Sequence, residues 1–187
     1  MRTFEAQLVD QCAPTLAGMK PASLFRYQGK EPGEALLLAE GWARALAPYG
    51  LTIRVLKTCQ VTGACMILLY RADWLSRVLR RGANRRFLEQ QGYPAGADLR
   101  LLLEQLSQRL CLEQDYPHEI GLFLGYPLED VVGFIQNRGR NFTCCGCWKA
   151  YGDPAAARRR FARYRRCTEV CNERFRLGAE ITDLIAA

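Results

Sequence analysis

Leu51-Thr52-Ile53-Arg54-Val55-Leu56 alternates apolar and polar side chains at period two, and Cys65 to Tyr70 follows as an unbroken apolar run. Alternation marks a half-buried strand, and the continuous run marks a more central one. Gln60-Val61-Thr62-Gly63 lies between them, so the pair predicts an antiparallel hairpin. Helical patterns surround it. Gly29-Lys30-Glu31-Pro32-Gly33 breaks the chain ahead of an amphipathic helix over Glu34–Ala47, which Pro48-Tyr49-Gly50 stops. Further helices are predicted at about 72–81, 84–91 and 98–111, the last N-capped by Asp98 and striped by Leu99, Leu102, Leu103, Leu106 and Leu110. Ile120 to Leu124 reads as a short buried strand, Leu128 to Asn137 as a helix ended near Gly139, and Phe142 to Tyr151 as a cysteine-bearing strand or loop. Asp153-Pro154 then opens a long final helix, with Asp at the N-cap and Pro at N1. The expected class is α/β, with α+β as the variant: a single domain over residues 1–187, a small sheet flanked by helices, and a strand order left open.

Composition limits what such a fold can do. Of 187 residues, 49% are hydrophobic and 24% charged, the balance of a globular chain with a proper core. No apolar run reaches the 18 residues of a membrane span, and the N-terminus lacks the apolar stretch of a signal peptide. A cytoplasmic location is expected. There, nine cysteines point to metal ligands, reactive thiols or small core residues rather than a disulfide framework.

Five of those cysteines crowd the last third, as Cys144-Cys145-Gly146-Cys147 and Cys167-x3-Cys171. Cys144-x2-Cys147 followed by Cys167-x3-Cys171 approaches the two-knuckle spacing of a tetrahedral zinc site, and four thiolates also suit iron. The second pair falls inside a helix, where residues four apart share one face but also continue the apolar repeat of Phe161, Tyr164, Thr168 and Phe175. The same Cys144-x2-Cys147, ahead of an arginine-rich helix, alternatively suits thiol redox chemistry. Cys12 and His118, the chain's one histidine, form a third constellation: a thiol nucleophile and its base, with Glu119 beside the histidine and Lys20 as cationic support. No Gly-rich oxyanion loop accompanies them, and neither GxGxxG nor GK[ST] occurs, so no nucleotide cofactor is indicated.

A net charge of +7 gathers in two arginine clusters, at 77–86 and at 158–166. Arg159, Arg163 and Arg166 are the candidate anion-binding residues, and the partners they suit are an anionic ligand or an acidic redox protein. Nucleic acid is not favoured, because Phe161 and Tyr164 fall on the apolar stripe and no zinc-finger, KH or RNP signature is present.

The segment His118-Glu119-Ile120-Gly121-Leu122-Phe123-Leu124-Gly125-Tyr126-Pro127 is distinctive, as are Glu129-Asp130-Val131 and Gly133-Phe134-Ile135. So are Cys145-Gly146, Trp148-Lys149, Tyr151-Gly152 and Cys167-Thr168, with Cys12-Ala13-Pro14-Thr15-Leu16-Ala17-Gly18 and Lys20-Pro21 near the start. Together they resemble an uncharacterised domain-of-unknown-function family common in anaerobic Firmicutes. The resemblance covers essentially the whole chain. It implies a pattern centred on Cys12, Lys20, His118, Cys145, Trp148 and Cys167, with Cys144, Cys147 and Cys171 as additions in this chain. It carries kinship but no activity. The function expected from the residues is cysteine-dependent redox or metal (zinc or iron) chemistry, with Cys145 and Cys167 as core thiols and Cys144 and Cys147 in support. The alternatives are a Cys12–His118 hydrolase or acyltransferase, and anion binding through the last helix.

Overall fold

The structure, a computed structural model, describes residues 3–112 and 116–186. It is α/β: a small sheet of antiparallel strands flanked by helices, with a long C-terminal helix. Its residues group into two compact units, Met1–Trp74 with Cys167–Ala187 (unit 1) and Leu75–Arg166 (unit 2).

Unit 1 holds the sheet. Helix α1 (Phe4–Leu16) leads to β1 (Ala22–Tyr27), and α2 (Glu34–Leu46) leads through a 3-10 turn to β2 (Leu51–Thr58) and β3 (Cys65–Arg71). The strand order is β1-β3-β2, with both neighbours antiparallel to β3. The predicted hairpin is β2–β3, and the continuous apolar run takes the centre, with Ile67, Leu68 and Leu69 fully buried. A register shift between Val55 and Lys57 interrupts the β2 ladder. The core is built from Leu8, Leu16, Ile67 and Leu69, with Phe4 set edge-on to Phe25 and Tyr27 at 5.5 and 5.1 Å. The α1 end is closed by Arg71, which donates to the carbonyls of Thr15 (3.0 Å), Leu16 (2.8 Å) and Ala186 (3.2 Å). Thr15 C=O also accepts from Gly18 N–H (3.2 Å) and Leu16 C=O from Ala186 N–H (3.0 Å), so Arg71 adds to carbonyls that the backbone already engages. Helix α1 and strand β1 lie in a stretch to which the sequence pattern assigns no element.

Unit 2 is mainly helical: α3 (Ala72–Arg80) enters it, followed by α4 (Gly82–Gln90), α5 (Leu99–Leu112), α6 (Ile120–Phe123) and α7 (Leu128–Gln136). A two-stranded hairpin, β4 (Cys144–Cys145) and β5 (Lys149–Ala150), precedes α8 (Pro154–Arg176), which continues into unit 1. Asp98 caps α5 by accepting from Leu101 N–H at 2.8 Å, and Asp153 accepts from Ala155 N–H at 2.8 Å.

One predicted element differs. The expected strand at 120–124 is a single helical turn, closed by Leu124 N–H to Ile120 C=O at 3.0 Å and Tyr126 N–H to Gly121 C=O at 3.0 Å. A short apolar run is buried equally well as strand or helix turn. Here the backbone satisfies itself locally.

Candidate functional site

The distinctive motifs prove to be the packing code of unit 2. Gly121 lies against Trp148, so that a Cβ there would stand 2.5 Å from the indole Cζ2, and Gly133 lies flat against the Tyr151 ring. Trp148 stacks on Tyr126 (4.7 Å, 13° between planes) and tilts against Phe134 (5.6 Å). Phe134 in turn meets His118 at 4.8 Å, and His118 meets Tyr116 at 5.9 Å. The motif carboxylates are structural as well. Glu119 is 2% exposed, pairs with Arg109 at 3.2 Å and accepts from the Tyr93 hydroxyl at 3.0 Å. It is engaged there while His118 sits in the aromatic row, so the carboxylate expected beside the histidine orients Arg109 and Tyr93.

Cys145 and Cys147 emerge at the tip of the β4–β5 hairpin, and both are exposed. The hairpin is anchored from below: Gly146 lies directly against the Phe161 ring, Gly146 N–H donates to Trp148 C=O at 3.0 Å, and Thr143 N–H donates to Ala150 C=O at 2.9 Å. Lys149 Nζ donates to Gly139 C=O at 2.8 Å. Cys144 is half-buried on β4.

Tyr126, 5% exposed, directs its hydroxyl at Cys147, 3.5 Å from that residue's carbonyl oxygen. Its phenol is pushed well above the ordinary range, first by burial and then by the charge of Cys147. Tyr164 is raised too, by burial first, with Arg160, Cys147 and Arg163 acting on it in turn. Both phenols therefore keep their protons beside the Cys147 sulfur. Sequence periodicity places Tyr164 on the apolar stripe but does not reveal that Tyr126 approaches Cys147.

The other expected site residues fall elsewhere. Cys12 is fully buried in the core of unit 1, where burial pushes its thiol far up and the nearby Lys20 charge only partly opposes this. Cys12 and Lys20 are thus brought together, whereas His118 belongs to unit 2. Cys167 and Cys171 are core side chains of unit 1, hydrogen-bonded to each other one helical turn apart; sharing its proton with Cys171, and burial, raise the Cys167 thiol. Among the described residues no group of three or more His, Cys, Asp or Glu is placed to hold a metal ion. Of the cysteines whose spacing suggests a zinc or iron site, Cys144, Cys145 and Cys147 lie on the hairpin of unit 2 and Cys167 and Cys171 in the core of unit 1. Arg159, Arg163 and Arg166 are exposed on α8.

One thiol escaped the sequence reading. Cys59, in the β2–β3 turn, is held down at about 7 by hydrogen bonds from the Thr62 hydroxyl, then the Thr62 and Val61 backbone, against a smaller opposing effect of burial. The signal available was a threonine three residues on within a tight turn. Iodoacetamide labelling followed by peptide mass spectrometry should show Cys59 half-maximally reactive near pH 7, and Thr62→Ala should move that midpoint upward. A midpoint at the ordinary thiol value of about 8.5 would contradict the assignment.

Among the described residues no helix is long and apolar enough to cross a membrane. No curated protein and no solved structure matches the chain. One family profile does, described as "Protein of unknown function (DUF3793)", over residues 8–185. With nearly the whole chain covered, and with the matching stretch containing both the sheet of unit 1 and the motif packing of unit 2, the protein belongs to the DUF3793 family.

Proposed function

We propose that the β4–β5 hairpin is a thiol centre and that the protein works by thiol–disulfide exchange in a reducing compartment such as the cytoplasm. The observation that carries this reading is the exposure of Cys145 and Cys147 on either side of Gly146, with the Tyr126 hydroxyl directed at Cys147, 3.5 Å from its carbonyl oxygen. One intervening residue keeps the two Cα atoms within about 7 Å, close to the span a disulfide bridges. Cys59 has a lowered thiol pKa but no second exposed thiol beside it in its turn: the Cys65 sulfur is buried and lies 3.5 Å from Thr58 Oγ1 and 3.8 Å from Gly63 C=O.

The exchange runs in two steps. Cys147, as thiolate, attacks one sulfur of a substrate disulfide; a mixed disulfide forms and the other substrate sulfur leaves as thiolate, beside the Tyr126 O–H donor. The Cys145 thiol passes its proton to that thiolate and attacks the Cys147 sulfur. A Cys145–Cys147 disulfide forms, the second substrate thiolate leaves and takes up a proton from water. Two protein thiols are oxidised and one substrate disulfide is reduced to two thiols.

The test uses the reduced full chain with Cys59→Ser, mixed anaerobically with oxidised glutathione and mapped by mass spectrometry. A Cys145–Cys147 disulfide is expected, and Cys145→Ser should instead accumulate glutathione on Cys147. Tyr126→Phe should slow that trapping by about tenfold, the kinetic equivalent of one hydrogen bond of about 1.4 kcal/mol. A hairpin that stays reduced while buffer-exposed Cys111 reacts would sink the proposal.

A further inference from the structure

The net charge of the chain resides in one unit. Residues 75–166 hold sixteen Lys and Arg against nine Asp and Glu, an excess of seven; the remaining residues hold ten of each and cancel. Of the sixteen, all but Lys149 are arginine. Two of the nine acids, Glu119 and Asp130, are buried in ion pairs with Arg109 and Arg160 and contribute little outward field. Arg77, Arg80, Arg81, Arg85 and Arg86 are exposed along α3 and α4, and Arg85 pairs with Glu89 at 3.4 Å.

Helix α8 shows how the charge is displayed. Ala157 and Phe161 are buried and Tyr164 and Arg160 are half-buried, whereas Arg158, Arg159, Arg163, Arg165 and Arg166 are exposed. At 100° per residue those five occupy the arc opposite the buried stripe, over about 12 Å of helix. No acid interrupts residues 158–166, and the one other exposed side chain there is Ala162.

We infer that this arginine arc of unit 2 binds the phosphate backbone of duplex nucleic acid without reading its sequence. Charge spread along a helix face suits a polymer rather than a small anion, and guanidinium groups match phosphate oxygens two at a time. The arc lacks the large apolar side chains that seat a helix in a lipid interface and the aromatic anchors typical of a protein hot spot. Because Phe161 is turned into the core, the helix offers no stacking platform for single-stranded bases. Duplex DNA carries one charge per about 1.7 Å, so a 12 Å stretch presents about seven phosphate charges to five arginines. This inference is independent of the thiol reading, since it needs neither Cys145 nor Cys147.

Fluorescence anisotropy of a labelled 25-base-pair duplex, titrated with the full chain, tests it. Five phosphate contacts give a slope of log K against log salt of about −4.5, so binding should weaken several-hundred-fold between 50 and 200 mM salt. Arg159→Gln, Arg163→Gln and Arg166→Gln combined should flatten the slope by about 2.7, at unchanged circular dichroism and melting temperature. The same loss of charge in unit 1, Arg26→Gln, Arg44→Gln and Arg174→Gln, should leave the slope nearly unaltered. Two unrelated duplex sequences should bind within about threefold of each other. Salt-independent binding, full binding by the α8 triple variant, or displacement of the duplex by polyglutamate or phosphatidylserine vesicles at equal charge would each overturn the assignment.

Discussion

Asp130→Ala is expected to destabilise the protein by about 3–5 kcal/mol, a fall of about 10 °C in melting temperature for a chain of this size. Asp130 is 1% exposed at the start of α7. One carboxylate oxygen accepts from the backbone N–H groups of Tyr151 (2.7 Å) and Gly152 (3.2 Å), and the other from Arg160 Nη2 at 3.1 Å. The residue therefore ties α7, the exit of the cysteine hairpin and the first turns of α8 together. Alanine removes every acceptor at once, leaving two backbone donors and a largely enclosed guanidinium without that partner. Asp130→Asn keeps a carbonyl for the backbone pair but turns an NH2 toward Arg160 in place of the second acceptor, so it should cost less than alanine while still losing the ion pair. Chemical denaturation of both variants checks the ordering. Equal costs for Ala and Asn would show that the anchor is electrostatic alone, and a loss below about 1 kcal/mol would remove Asp130 from this role.

Gly133→Ala should be destabilising by about 2 kcal/mol, although alanine is worth about 1 kcal/mol more than glycine in a helix interior. A Cβ at 133 would overlap Tyr151 Cγ and Cβ. The ring cannot swing aside easily. Its backbone N–H is held by Asp130, and its hydroxyl donates to Arg140 C=O at 2.9 Å. If overlap is the cause, Tyr151→Gly, which removes both Cγ and Cβ, should reverse the sign, so that Gly133→Ala becomes neutral or stabilising in that background. An unchanged cost would place the effect in the helix backbone instead.

Gly121 with Trp148 and Gly133 with Tyr151 are pairs of a missing side chain and a large ring, distant in sequence and adjacent in space. Read along the chain they look like signature residues of a reaction. In the fold they are contact pairs, and Glu119 and Asp130 are the buried carboxylates that lock them.

What the sequence by itself determined is local. The Glu34 helix, the β2–β3 hairpin, the Asp98 and Asp153 caps and the long α8 are all encoded in periodicity and capping residues within one or two turns of each other. Their backbone hydrogen bonds close over short distances, so little else is needed to read them. The turn at 120–123 was not legible because an apolar run of that length is compatible with either backbone, and only its surroundings select one. The tertiary structure alone decided the fate of each cysteine. Spacing treats Cys145, Cys147, Cys167 and Cys171 alike, yet burial separates two exposed thiols at a hairpin tip from two enclosed in a core. It also brought Tyr126 to Cys147 and set aside an excess of positive charge in residues 75–166. Reactivity and charge display depend on solvent exposure and on neighbours remote in sequence, and those are properties of the packed chain.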